Sequence, residues 1–331
     1  MVFKKSKGGF SLKRILVTGG TGQIGSELVP ALRQRYGNEN VVCGGHRRNP
    51  GQDLLESGPY EVIDVVDADV FVEVVKKYKI DTIYHLPAIL SARAEENPMR
   101  AWEINIGGLI NALEIAREFE CALFVPSSIA AFGPNSPKWK TPQDTIQRPR
   151  TIYGITKVTG ELLCDYYHFK YGVDTRGVRY PGLISYKTLP GGGTTDYAVE
   201  IFYEALKNKR YTCYLKEDTR LDMMYMPDAL KAAMELMEAD PNRLAHRNAF
   251  NITAMAFTPK ELAEEIKKHI PEFKMTYHVD PAKQSIADSW PDMIDDSCAR
   301  QEWGWNPEYD LPTMVEDMLE KLSEKLGVSY K

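Results

Sequence analysis

The sequence predicts an α/β protein built on a doubly wound parallel sheet, with a smaller C-terminal lobe. Three observations predict it. A short apolar run, KRILVTG, leads directly into the glycine-rich TGGTGQIG. Strand-like and helix-like segments then alternate as far as Tyr180. Beyond Tyr180 the texture changes to a long loop rich in glycine, proline and threonine. Alternating strands and helices imply parallel pairing, because each crossover between parallel strands needs a helix's length of chain.

The elements follow in order. KRILVTG is apolar without alternation, as a strand buried on both faces should be. Residues 23–36 read as a helix, NVVCGG as the second strand and YEVID as the third. Residues 67–78 read as a helix and DTIYHL as the fourth strand. From about Pro98 to Phe119, the residues Trp102, Ile106, Leu109, Leu113 and Ala116 recur at helical spacing. ALFVPSS is the fifth strand. A helix carrying Lys157 runs to about Tyr171, and VDTRGVRY is the sixth strand. PGLISYKTLPGGGTTDY then reads as a loop, and loops of this length are usually functional or disordered. Short strands and helices follow, among them AFNIT, a helix from Thr258 to Lys268 and a last helix from about Leu311 to Leu326. The expected organisation is a basic extension over residues 1–13, a dinucleotide-binding domain over 14–182, and a region over 183–331 that is mainly a substrate-binding lobe, with room for returning segments.

Composition narrows the function. The chain has 331 residues, 43% of them hydrophobic, and a formal net charge of -5. That size supports an ample core, and that charge leaves no electrostatic footprint for nucleic acid. No apolar run approaches the roughly 20 residues of a membrane span. The five cysteines are odd in number and widely spaced, without a CxxC, which argues against a disulfide framework and against zinc. The six histidines form no HxxxH pair, so no metal site is expected. The N-terminus carries Lys4, Lys5, Lys7, Lys13 and Arg14 with no acid before Glu27. That is the charge pattern of a transit peptide, and equally of a frayed basic tail.

The glycine loop is the first chemical signal. Gly20, Gly22 and Gly25 satisfy G-x-G-x-x-G, and Thr18, Gly19, Gly22 and Gly25 satisfy T-G-x-x-G-x-x-G. The loop follows a strand and opens a helix, the context in which it cradles a pyrophosphate on backbone amides and a helix N-terminus. This is a Rossmann-like arrangement. The same fingerprint calls for an acid at the end of the second strand to hold the adenosine ribose. Here VVCGGHRRNP places Gly45 there, with Arg47 and Arg48 just after. Those arginines suit a 2′-phosphate, or they are solvated loop charges. Asp64, ending the third strand, is a separate candidate for the adenine edge.

The second signal is TIYGITK, in which Tyr153 precedes Lys157 by one helical turn. Tyr166 with Lys170 and Tyr203 with Lys207 share the spacing, so context must decide. Only Tyr153 begins a helix just after a strand that ends in serines, Ser127 and Ser128. Doubly wound sheets bind ligands at that edge. A lysine cation one turn away favours a phenolate, which makes Tyr153 a candidate general base, Lys157 its tuner and Ser128 the residue that positions a substrate hydroxyl.

Together these residues resemble the extended short-chain dehydrogenase/reductases, the NAD-dependent epimerase/dehydratase family, over nearly the whole chain. His85 and Ala88 after the fourth strand and Asn105 in the next helix add to the likeness. Three segments are similar to the L-threonine 3-dehydrogenase branch of that family: Leu183 to Leu206 with its glycine-rich loop, ILSARAE, and Ile286 to Trp305. The resemblance implies catalysis by Ser128, Tyr153 and Lys157. It implies NAD held by Gly19, Gly22, Gln23, Ile24, Gly25, Arg47, Asp64, Val65, Leu86, Ala88, Asn105, Tyr153, Lys157 and Tyr180. It implies L-threonine held by Ser91, Ser128, Tyr153, Thr194 and Thr195, with Trp290 covering it. A homodimer built through the helices at 98–119 and 153–171 is implied as well, on which Val158, Leu162 and Tyr166 share a stripe. With the basic N-terminus, the role implies a mitochondrial enzyme, and otherwise a cytoplasmic one. Read bottom-up, Thr194 and Thr195 could instead cap the helix that follows, and Trp290 could be core. A nucleotide-sugar epimerase and a non-catalytic NAD(P)-binding protein stay open as alternatives.

Overall fold

A computed structural model describes residues 13–47, 49–189 and 191–330. The basic stretch ahead of Lys13, and Arg48, lie outside the described residues. Strands Tyr60–Val62, Val41–Gly45, Ile15–Thr18, Thr82–His85, Ala122–Phe124 and Thr175–Arg176 lie side by side in that order, all parallel. The order reverses direction between the first and fourth strands in sequence, the switch point at which such sheets bind ligands.

Helices cover both faces. Gly25–Tyr36 and Met226–Glu238 pack on one face, around Leu28, Leu32, Tyr84 and Phe124. Ala68–Tyr78, Gly108–Glu118 and the inner side of Ile152–Tyr171 pack on the other, around Leu16, Phe71, Leu113 and Leu123. Residues buried on both faces need no alternation, which is why ILVT is uniformly apolar up to its last residue.

Two predicted strands are interrupted. ALFVPSS forms Ala122–Phe124 and Ser127–Ser128, and VDTRGVRY forms Thr175–Arg176 and Val178–Tyr180. Pro126 sits in the first gap, where it has no N–H to give the ladder. Beyond the gaps a second parallel set runs Phe250–Asn251, Val178–Tyr180, Ser127–Ser128. AFNIT therefore extends the edge beside the sixth strand and does not belong to the covering lobe.

The lobe itself has a core of Tyr197, Phe202, Phe257, Leu262, Phe273 and Met318. It is built by helices Tyr197–Asn208, Pro259–His269 and Leu311–Leu326 around the short sheet Gly182–Ile184, Leu221–Tyr225, Met255–Phe257. The helix expected from Pro98 to Phe119 is present but divided. Pro98–Trp102 and Gly108–Glu118 flank a π-helical turn at Glu103–Gly107, a distortion that tends to mark functional positions. Among the described residues no helix is long and apolar enough to cross a membrane.

Candidate active site

The first strand delivers the glycine loop to the carboxyl edge of the sheet. Gly19 adopts a φ of 72°, and the Gly22 amide donates to its carbonyl at 2.9 Å. A Cβ on Gly25 would lie 2.3 Å from that carbonyl oxygen and 2.6 Å from Gly20 Cα. Any side chain there would force the loop apart, so the residues present fit a pyrophosphate brought against bare backbone at a helix N-terminus.

The helix Ile152–Tyr171 is capped by Thr151, whose Oγ1 accepts from the Gly154 amide at 3.1 Å. The cap places Tyr153 in the first turn and Lys157 one turn on. Lys157 Nζ lies 5.5 Å from the Tyr153 ring centre and donates to the Pro126 carbonyl at 2.6 Å. Ser128 Oγ accepts from the Ala130 amide at 3.2 Å, and its hydroxyl lies beside that of Tyr153. Of the three tyrosine–lysine pairs, only this one lines the cleft. Tyr166 is half exposed, and Tyr203 bonds the Tyr186 carbonyl within the lobe.

Burial raises Tyr153 to about 12, opposed by the Ser128 hydrogen bond. Burial lowers Lys157 to about 8, opposed by the charge of Glu161. The sequence argument gave Lys157 the leading part in easing tyrosine ionisation. In the structure the ammonium also serves the Pro126 carbonyl, and the Ser128 hydroxyl is a further group beside the phenol.

Asn105, at the π turn, ties the cleft wall to this helix. Its Oδ1 accepts from the Ile89 amide at 2.8 Å, and its Nδ2 donates to the Ile89 carbonyl and to Thr156 Oγ1, both at 3.1 Å. His85 accepts or donates at Nδ1 to Thr18 Oγ1 at 3.1 Å. It is held neutral, down to about 3, by burial and then by the nearby Lys157 charge. Its Nε2 has no partner and faces a cavity of about 30 Å³ behind Lys157, lined also by Asn105 and Glu161.

Gln23, Ile24, Leu86, Ala88, Ser91, Ser128, Tyr153, Lys157, Tyr180, Thr194, Thr195 and Trp290 converge on one cleft with about 140 Å³ of free space. Thr194 is 1% exposed, and its Oγ1 has no hydrogen-bond partner. Neither threonine caps the following helix; Asp196 takes the N-cap position and spends its Oδ2 on the Gly192 and Gly193 amides, 2.7 Å each. Tyr180 presents its ring, because its hydroxyl donates to the Ala229 carbonyl at 2.7 Å. Trp290 is held by Lys138, whose Nζ donates to the Trp290 carbonyl at 2.6 Å and to that of Asp288.

Outside the glycine loop and Asn105, three predicted residues do not line this cleft. Arg47 is exposed, with Nε against His46 Nε2 at 3.3 Å. Asp64 faces His46 at 3.5 Å. Val65 is buried in the core, and its carbonyl accepts from Asn111 Nδ2 at 2.9 Å. Sequence reasoning missed Glu161, Lys138 and Tyr60. Glu161 could have been found as the next residue on the Tyr153–Lys157 stripe. Lys138 and Tyr60 carry no local signal.

His246, Cys298 and Glu302 come within 4.8 Å of one another, a juxtaposition of two distant segments that no spacing rule reveals. Glu302 already accepts from the Ala245 and His246 amides, at 2.6 and 3.1 Å, and bonds the imidazole. A structural role accounts for the cluster.

Residues 15–253 match the model of the NAD dependent epimerase/dehydratase family. The solved structure of L-threonine dehydrogenase from Clostridium difficile is 61% identical, with a TM-score of 0.94, over 96% of this chain and 99% of that one. A monomeric L-threonine 3-dehydrogenase from a metagenome is 44% identical, with a TM-score of 0.90, over 94% and 99%. An uncharacterised epimerase/dehydratase of Staphylococcus haemolyticus is 54% identical over 95% of this chain and 99% of its own length. That relative is bacterial, which does not fit the mitochondrial expectation.

Proposed function

The chain belongs to the NAD dependent epimerase/dehydratase family, and from that premise we propose that it is an NAD-dependent L-threonine 3-dehydrogenase. The observation that carries the reading is Thr194. Its unpartnered, buried hydroxyl lines the same small cleft as Ser128, Tyr153 and Lys157. A buried polar group without a partner is costly, and a small polar ligand relieves it.

NAD, when bound, supplies the hydride acceptor. Gly19, Gly22, Gln23, Ile24 and Gly25 hold its pyrophosphate end, and Leu86, Ala88, Tyr180 and Lys157 border its nicotinamide end. Ser128 would orient the threonine 3-hydroxyl and Tyr153 would take its proton, and with the C3 hydrogen lost as hydride to the oxidised nicotinamide the product would be 2-amino-3-oxobutyrate. Lys157 keeps a positive charge beside the developing phenolate. Thr194, Thr195 and Ser91 hold the amino-acid end, and Trp290 covers it against water.

We also propose a homodimer, on the strength of exposed apolar surface. Met99, Leu162, Tyr166 and Phe169 leave apolar surface on the paired helices Pro98–Trp102 and Ile152–Tyr171, Phe169 being 80% exposed. Light scattering on a size-exclusion column distinguishes that assembly from the monomer of the metagenomic relative. The function is tested by following NAD reduction with L-threonine beside a panel of amino acids. Reduction with L-threonine supports the reading; interconversion of UDP-sugars without it overturns the reading.

A further inference from the structure

The strand Val41–Gly45 lacks the acid that the glycine fingerprint calls for, and another side chain fills its place. A Cβ on Gly45 would lie 2.6 Å from the Tyr60 hydroxyl, 2.9 Å from Tyr60 Cε2 and 2.9 Å from Thr21 Cγ2. Real Cβ atoms essentially never approach that closely, so no acid leaves Gly45 unless Tyr60 moves. Tyr60 opens the neighbouring strand, in register with Cys43. Its ring runs along the sheet towards the carboxyl edge and ends beside the strand terminus and Thr21 of the phosphate loop. In a doubly wound sheet the adenosine ribose of a dinucleotide lies between those two features.

We propose that Tyr60 reads the adenosine ribose in place of the missing acid, bonding its 2′-hydroxyl and obstructing a 2′-phosphate, and so sets the preference for NAD over NADP. A phenol suits this task, since it can donate to and accept from a ligand hydroxyl. The Tyr60 hydroxyl makes no hydrogen bond to another described residue. Burial holds its ionisation above the usual value, so it stays a donor at neutral pH. An acid repels a 2′-phosphate by charge; a neutral phenol excludes it by occupying space. Asp64, at the end of the next strand, adds a carboxylate that accepts from the Val66 amide at 3.2 Å. Arg47, two residues past Gly45, is exposed.

The inference rests on the dinucleotide reading of the glycine loop and not on the identity of the substrate. Its test is therefore binding: titration of the purified protein with NADH and with NADPH, followed by nicotinamide fluorescence. Tyr60→Phe should raise the Kd for NADH about tenfold, as expected when a ligand hydroxyl loses its partner, and leave NADPH within about twofold. Tyr60→Ala should tighten NADPH relative to NADH by opening the space before Arg47. Gly45→Asp combined with Tyr60→Ala should recover NADH affinity over Tyr60→Ala alone. The proposal is overturned if Tyr60→Phe binds NADH as the parent does, or if it weakens both nucleotides equally. Failure of either alanine variant to fold, judged by its thermal transition, leaves the Phe comparison to decide.

Discussion

Arg179 grips Glu161 with two hydrogen bonds inside the protein, Nε to Oε1 at 3.0 Å and Nη2 to Oε2 at 2.8 Å. Both side chains are nearly excluded from water. The same carboxylate accepts from Gln147 Nε2 at 2.7 Å and from the Ser127 hydroxyl. It thus ties together the strand end before Ser128, the helix of Tyr153 and Lys157, and the strand before Tyr180. Removing one partner strands the other charge, which typically costs about 3–5 kcal/mol. Arg179→Met should lose stability of that order in urea unfolding. Glu161→Gln should also move Lys157 further below its usual range. If Arg179→Met unfolds with the parent's midpoint, the pair is not a structural centre.

Tyr153→Phe removes one hydroxyl and should leave fold and NADH binding intact while cutting turnover by at least about a hundredfold. Tyr166→Phe, on the exposed side of the same helix, should cost little. Equal losses in the two variants would show that the cleft pair is not the acid–base pair.

How much of this was legible in the sequence differs by element. The glycine loop, the parallel strands and the Tyr153–Lys157 pair were readable because each is a local pattern with a local cause: bare backbone at a helix start, burial on both faces, one helical turn. The breaks at Pro126 and Gly177 were not, since an apolar run reads alike whether its ladder is whole or divided. AFNIT reads as a strand anywhere; that it pairs with Val178–Tyr180 depends on contacts across some 70 residues, such as Arg179 Nη1 to Asn251 Oδ1 at 3.0 Å. The absence of an acid at Gly45 was visible, whereas the ring of Tyr60 that fills the space was not, because the two meet only once neighbouring strands are in register.

The pH dependence follows from the two buried groups. With Tyr153 raised to about 12 and Lys157 lowered to about 8, both are protonated at neutral pH. Catalysis needs tyrosinate beside ammonium, which has one proton fewer. Because the two groups share that loss, it belongs to the pair and occurs as pH rises through the lower value, about 8. kcat/KM should therefore increase with pH up to about 8 and then level off. The positive charge of the oxidised nicotinamide favours the phenolate, so the limb in kcat should lie lower. Lys157→Met should push the limb upward, towards the tyrosine's own range. A profile flat from about pH 6 to about pH 9 would contradict the assignment.

Lys138 is predicted to act through Trp290. Beyond its two side-chain bonds, its carbonyl accepts from the Asp292 amide at 2.8 Å, and strand Trp139–Thr141 pairs with Met293–Ile294. Lys138→Met keeps the aliphatic stem but releases the Asp288 and Trp290 carbonyls. KM for threonine should rise several-fold with a smaller change in NADH affinity, and tryptophan fluorescence should respond less to substrate. An unchanged KM would mean that the strand pairing alone holds Trp290.

The substrate loop gives the sharpest separation of binding from catalysis. Thr194 has its hydroxyl buried and unpartnered, while Thr195 is partly exposed and its Cγ2 packs near Gly182. If both hydroxyls merely filled space, Thr194→Val would be silent, since valine keeps the shape. If Thr194 positions the amino-acid end, the loss also misplaces the 3-hydroxyl against Ser128 and Tyr153, and misplaced reactants slow chemistry as well as weaken binding. Thr194→Val should therefore lower kcat and not only raise KM. Thr195→Ala should do the same. L-serine lacks one methyl and should be poorer in kcat/KM by roughly 10- to 200-fold, the usual worth of one apolar group. A Thr194→Val enzyme with parental kcat and a raised KM would leave Thr194 a binding residue alone, and one with both constants unchanged would remove it from the site.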